Sequence, residues 1–168
     1  MPSQNSNPAD TEIDRLVDQL EREHKGDAWH GSPLMAIIDG ITAQQAATRA
    51  VPNGHTIWEL VLHVTAWKNE TRKRLSGAPA GEPEEGDWPD AGEPTPQRWS
   101  EALTRLGRAH EQLVAAVRQL PESRLYEATN DPRDRPLGVG VSYYVLLHGI
   151  VQHDAYHAGQ IALLKKGI

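Results

Sequence analysis

Apolar residues recur at intervals of three and four along four long stretches of the chain, the spacing of helices that bury one face. Threonines precede three of these stretches, and they are typical helix N-caps. Glycine or proline follows the first three, as expected at helix ends. The predicted long helices run from Thr11 to Gly26, from Thr56 to about Leu75, from Thr95 to Pro121, and from about Val141 to Lys166.

Two shorter helical segments are predicted between the first and second long helices. Ser32 followed by Pro33 is typical of an N-cap and a first helical residue. Thr42 is the predicted cap of a second short segment that ends before Pro52. No stretch has the alternating pattern of a strand. The sequence therefore predicts an all-α protein, a four-helix bundle with one or two short extra helices.

The segments between these helices differ in composition. Residues 1–10 are polar and are expected to be disordered, while residues 11–168 are expected to form one domain. Residues 77–96 are rich in glycine, proline and acidic residues, which predicts a long acidic loop, mobile except where Trp88 anchors it. A second loop is predicted from Pro121 to Gly140.

Composition excludes several classes of function. The 168 residues carry a net charge of −6 and no basic patch, which argues against a nucleic-acid-binding protein. No apolar run approaches the roughly 20 residues that span a bilayer, and the N-terminus lacks a signal peptide, so we expect a cytoplasmic protein that does not enter a membrane. The absence of cysteine removes disulfides, thiolate ligands and a cysteine nucleophile.

Some of the histidines are candidates for binding a metal ion. His153 and His157 lie one helical turn apart on the last helix, so their imidazoles can converge on one ion. His63 falls at the edge of the apolar stripe of the second long helix and faces the same seam. Three histidine ligands leave one coordination position open, as in catalytic metal sites. The alternative is that these are separately hydrogen-bonded core histidines.

The remaining histidines do not fit such a site. His148 points away from the face of His153. The others are expected to be ordinary surface or packing residues: His24, His30, His55 and His110. A zinc-protease motif is excluded because Asp154 stands where a glutamate general base is required. A carboxylate-bridged di-iron site is excluded because only one Glu-x-x-His motif is present, at Glu21 to His24.

Two segments together resemble the DinB-like superfamily: TIWELVLHVTAW, which contains His63, and HDAYHAGQI, which contains His153 and His157. The turn GDAWHG at residues 26–31 is similar to that of one branch of this family. The resemblance implies an up-down-down-up four-helix bundle, a homodimer, and a metal site made by these three histidines. It also implies zinc or nickel as the metal, and relatives that act as transferases or isomerases with a thiol cosubstrate such as mycothiol or bacillithiol.

The leading hypothesis is a metal-dependent transferase that activates a low-molecular-weight thiol for reaction with a small-molecule substrate. Gln160, one turn beyond His157, either orients a bound water or substrate or is a packing amide. Glu59 and Glu70 are candidate partners of imidazole N–H groups, or are solvated. Tyr156 either lines the site or, as we expect, packs in the core. A non-catalytic, stress-associated metal-binding dimer and a metal-dependent hydrolase are the alternatives.

Overall fold

A computed structural model describes residues 11–131 and 141–168. Within these ranges the regular structure is helical, and the β-type pairing is an isolated bridge between Ala128 and Ser142. None of the helices in these ranges has the length and apolar character needed to cross a membrane. The helices are α1 (Glu12–His24), α2 (Leu34–Ile38), α3 (Ala43–Ala47), α4 (Ile57–Leu75), α5 (Pro96–Gln119) and α6 (Tyr143–Lys165), with a 3₁₀ turn at Glu122–Arg124.

Most predicted helix starts are confirmed. Thr11, Thr42 and Thr56 each form a capping box, in which the threonine side chain accepts from the third helical N–H and the third side chain binds back to the cap. Thr95 caps α5 through its side chain. The predicted start at Ser32 is wrong by one residue. Pro33 itself has extended backbone angles, φ −70° and ψ 162°, and occupies the cap position without a side-chain hydrogen bond.

The interior consists of two apolar clusters with polar residues between them. Helix α4 packs against α5 and α6, and α1 packs against the same two helices. One cluster includes Trp58, Trp99 and Leu106. The other includes Leu16 and Leu113. Along each of α4, α5 and α6, buried polar residues lie between the segments that supply these two clusters.

We call the buried residues Glu23, His24, Lys68, His110 and Asp154 the polar layer; all four long helices contribute to it. Lys68 Nζ donates to Asp154 Oδ2, and both side chains are almost completely buried. The rings of His24 and His110 are stacked, with centroids 3.8 Å apart. A buried charge is tolerated when it is paired, and a buried imidazole when it is neutral.

Acid should destabilise the protein through the two stacked histidines. Burial lowers the pKa of both His24 and His110 from 6.5 to about 3. Well above pH 6.5 both are neutral in the folded and unfolded states, so they do not affect stability there. Between pH 6.5 and pH 3 these two histidines bind protons in the unfolded chain but not in the folded chain. Stability therefore falls with decreasing pH, by up to about 1.4 kcal/mol per pH unit for each histidine.

Urea unfolding of the metal-free protein at a series of pH values measures this slope. The variant His110→Leu should have a shallower slope below pH 6.5, because it removes one of the two groups. His55→Gln is the matched control, since His55 is 44% exposed at its side chain. If His110→Leu and the parent lose stability equally between pH 6.5 and pH 4, the assignment to the stacked pair is wrong.

Candidate metal centre

The packing of α4 against α6 brings three histidines to one point. His63 lies in the middle of α4, and His153 and His157 lie one turn apart on α6. One ring nitrogen from each histidine lies within 4.8 Å of the others. The Nε2 atoms of His63 and His153 are 3.0 Å apart. Two imidazole nitrogens that share an ion, each about 2.0–2.1 Å from it, lie at a similar separation.

The second nitrogen of each ring faces an oxygen. His63 Nδ1 is 2.6 Å from the main-chain carbonyl of Asp87, and His157 Nδ1 is 2.7 Å from Gln160 Oε1. His153 Nδ1 is 3.4 Å from a carboxylate oxygen of Asp154. These oxygens only accept hydrogen bonds, so the short contacts of His63 and His157 place the proton of each of these two rings on Nδ1.

This hydrogen bonding leaves the Nε2 atoms of His63 and His157 free to bind a metal ion. The Nε2 atoms of His63 and His153 face each other at close range. Two imidazole nitrogens at that distance either share a proton or bind the same cation. Imidazole N–H groups held by oxygen acceptors are also typical of metal-ligating histidines. The residues therefore fit a divalent ion by donor type and by hydrogen bonding.

Burial keeps the imidazoles of His63 and His157 in the neutral form, which binds metal. It lowers the pKa of His63 below its usual value, and it lowers the pKa of His157 to about 4. Both rings are buried, at 5% and 6% exposure, whereas the side chain of His153 is 25% exposed. A neutral imidazole binds a metal ion without first losing a proton. The His153 side is also the most accessible edge of the triad.

The acidic loop, residues 77–96, covers the His63 edge of the triad. The Trp88 ring stacks on His63 with centroids 4.0 Å apart and on His55 at 3.4 Å, and it meets the His157 ring edge-on at 6.3 Å. Asp87 is fixed by Trp67, whose Nε1 donates to Asp87 Oδ1 at 2.7 Å. The predicted anchoring of this loop by Trp88 is confirmed. The role of Asp87 was missed, because a main-chain carbonyl acceptor leaves no signal in the sequence.

Two of the candidate partners of the triad, Glu59 and Glu70, form interactions with other residues. The carboxylate of Glu59 accepts from the Thr56 N–H and from Arg49. The carboxylate of Glu70 pairs with Arg74 and accepts from the Gly81 N–H. Both are therefore engaged in stabilising contacts of α4 with neighbouring loops, and their described bonds do not include a ring of the triad.

The expectation that Tyr156 packs in the core is wrong. This residue is 65% exposed, and its ring meets the His157 ring edge-on at 5.0 Å. The sequence of α6 is apolar on nearly every side of the helix, which favoured placing Tyr156 inside. The structure instead turns one face of α6 to solvent.

Gln160 should be required for tight metal binding, although the triad would remain complete without it. Its side-chain oxygen is the acceptor that orients the His157 ring. Gln160→Leu keeps the approximate volume and removes that acceptor. Loss of such a partner weakens metal affinity about 10- to 100-fold. Competition with a chromophoric chelator measures the change, and Gln19→Leu on the exposed face of α1 is the control. Equal affinities would assign Gln160 to packing alone.

The fold and the site together define a class of protein. Its described regular structure is helical, and three imidazoles converge where α4 packs against α6. The DinB superfamily model matches residues 28–161, which include all three histidines. The chain therefore belongs to the DinB superfamily. No curated protein and no solved structure gives a match to it.

Proposed function

We propose that the protein binds a divalent metal ion through His63, His153 and His157 and uses it to activate a low-molecular-weight thiol for transfer to a small substrate. The convergence of one ring nitrogen from each of the three histidines, with an oxygen near the Nδ1 atom of each ring, is the observation that carries this proposal. Zinc or nickel is the expected ion, since imidazole ligands suit both. The proposal includes the up-down-down-up four-helix arrangement of α1, α4, α5 and α6.

The chain itself supplies orientation and exclusion of water. Asp87, Asp154 and Gln160 hold the three rings, and Trp88 shields the His63 side. A ligand would enter past His153, the most exposed of the three. A bound divalent ion would lower the pKa of a coordinating thiol and so favour the thiolate near neutral pH. Because the chain has no cysteine, that thiol must be a separate molecule.

Thiol coordination can be tested without knowing the substrate. Protein loaded with Co²⁺ should gain a sulfur-to-cobalt charge-transfer absorption when 2-mercaptoethanol is added. Ethylene glycol, which replaces sulfur by oxygen, should not produce it, and neither should His157→Ala. A cobalt complex that shows no such band with thiol would count against the transferase, while leaving metal binding intact.

Turnover is tested with 1-chloro-2,4-dinitrobenzene as the electrophile. In this reaction a carbon–sulfur bond forms and chloride leaves, and the rate should depend on both the thiol and the metal. Hydrolysis of an activated ester in the absence of thiol would indicate the hydrolase instead.

A non-catalytic metal-binding protein is the second candidate. The observation that favours it is the burial of His63 and His157 together with the stacking of Trp88 over His63, which leaves one accessible edge. Metal binding without either reaction, combined with a large increase in thermal stability on metal addition, would support this candidate.

A further inference from the structure

A surface cavity of about 940 Å³ lies between α1, the turn that follows it and α6. Sites for small molecules have volumes of about 300–1,000 Å³. Val151 and Ala155 line this cavity, and each lies two positions from His153 along α6, which is about 200° around the helix. The cavity is therefore on the side of α6 opposite the candidate metal centre, and the proposed function does not use it.

The lining of this cavity is acidic. Its carboxylates outnumber its guanidinium groups: Asp14, Asp18, Glu23 and Asp27 stand against Arg15 and Arg22. Both guanidinium groups already form ion pairs with carboxylates of α1, Arg15 with Glu12 and Arg22 with Asp18. The cavity is therefore poorly suited to an anion, and its charge favours a positively charged ligand.

Glu23, which belongs to the polar layer, gives a second and independent indication of a cation. Its side chain lines the cavity yet is only 4% exposed. Oε2 accepts from His30 Nε2, whereas Oε1 has no hydrogen-bond partner among the described residues. Burial raises the pKa of this carboxyl group, because its charged form loses solvation. A positive charge bound in the cavity would compensate for that loss.

His30 connects the buried Glu23 with the cavity. Its side chain is 43% exposed and also lines the cavity. Because Nε2 donates to Glu23, the neutral ring has its lone pair on Nδ1, which can accept from an N–H group of a ligand. A ligand N–H bonded to His30, which is itself bonded to Glu23, would form two hydrogen bonds in series. Such bonds polarise one another, so a cationic donor would stabilise the buried carboxylate through the imidazole ring.

Trp29 adds an aromatic surface to the same cavity. It is 98% exposed, although tryptophan is highly buried on average, so the folded chain leaves almost the whole indole available for a contact. The face of an indole ring attracts cations, and tryptophan does so more strongly than the other aromatic residues. Val151 and Ala155 provide apolar surface on the α6 side. The cavity therefore offers contacts for a positive charge and for an apolar group in one molecule.

We propose that this cavity binds the primary ammonium group of a small amine that also carries an apolar part. The ammonium group donates to His30 Nδ1 and is attracted by the Glu23 carboxylate and the Trp29 ring, and the apolar part contacts α6. No residue of the triad takes part. Binding of the amine should therefore be the same in chelator-treated and metal-loaded protein, and it does not depend on the proposed thiol chemistry.

Titration of chelator-treated protein with 2-phenylethylamine, followed by amide and indole N–H signals in NMR spectra, tests this site. The amine should bind saturably with a dissociation constant below about 10 mM, a modest affinity for a ligand of this size, and should shift the indole signal of Trp29. 2-Phenylethanol, which has a hydroxyl in place of the ammonium group, should bind about tenfold more weakly or worse. Absence of saturable amine binding, or equal binding of the amine and the alcohol, would overturn the proposal.

Two variants test the residues that recognise the ammonium group. Trp29→Leu should weaken amine binding about 3- to 30-fold without affecting folding, because the side chain is exposed. Glu23→Gln should weaken it about tenfold or more, since it removes the charge while its amide oxygen can still accept from His30. Tyr126→Leu, which removes an exposed aromatic ring outside the cavity lining, is the control and should bind like the parent. Parent-like affinity in Trp29→Leu would contradict the proposed site.

A methylated ligand tests the hydrogen bond to His30. Trimethyl(2-phenylethyl)ammonium keeps the positive charge and the apolar part but has no N–H group. It should bind more weakly than 2-phenylethylamine, because His30 Nδ1 then has no donor. Equal or tighter binding of the trimethylated ligand would show that charge alone is recognised, which would contradict the assignment of a primary ammonium group.

Discussion

Protein purified without added metal is expected to contain about one equivalent of a divalent ion, and His153→Ala/His157→Ala should contain almost none. Removal of these rings leaves His63 as a single ligand, and one imidazole does not hold an ion against competing water. The single variant His157→Ala should already lose more than about 100-fold in affinity, since changes to hydrogen-bonding partners alone cost about 10- to 100-fold. Elemental analysis of untagged protein, followed by metal titration, measures both effects.

His148→Ala is the matched control for this experiment. His148 is a partly buried histidine on the same helix, and its ring packs against Tyr144 at 4.4 Å instead of joining the triad. This variant should retain parent-like metal content. Absence of metal from the parent after reconstitution with zinc and with nickel would refute the metal centre. The three histidines would then be a hydrogen-bonded cluster, and the proposed chemistry would lose its basis.

The helical fold was predictable because its signals are local. A threonine cap with a partner three residues later, as at Thr11, Thr42 and Thr56, involves contacts within a single turn. The pairing of His153 with His157 is equally local, since both lie on one helix. Including His63 required only the assumption that the apolar faces of two helices meet.

The surroundings of the triad depend on contacts between distant segments, which helical spacing cannot supply. Lys68 and Asp154 are 86 positions apart and pair inside the protein, yet each would be assigned to a surface by its type alone. Asp154 was considered only as a residue that does not fit a protease motif. Tyr156 was misplaced because α6 is apolar on the face that is exposed as well as on the face that is buried, so hydrophobicity does not distinguish them.

Lys68→Met is expected to destabilise the metal-free protein by about 3–5 kcal/mol at pH 7, the usual result of removing one partner of a buried ion pair. Burial alone would raise the pKa of Asp154, but Lys68 and a hydrogen bond from His153 hold it below its usual value. Without Lys68 the carboxylate is left in the interior with only a 3.4 Å contact to His153. Urea unfolding measures the difference. Arg22→Met, which breaks the exposed pair with Asp18, is the control and should have little effect.

The double variant Lys68→Met/Asp154→Leu separates the loss of pairing from the loss of packing. Replacing both charges with apolar groups of similar size removes the buried carboxylate, so most of the lost stability should return. This result would show that the ion pair is dispensable for folding. In the parent, Asp154 would still supply the acceptor for His153 Nδ1. The double variant should accordingly fold well and bind metal about 10- to 100-fold more weakly than the parent. If the single and double variants are equally unstable, the loss of stability comes from packing around Lys68 and not from pairing. If the double variant binds metal as tightly as the parent, Asp154 does not orient His153.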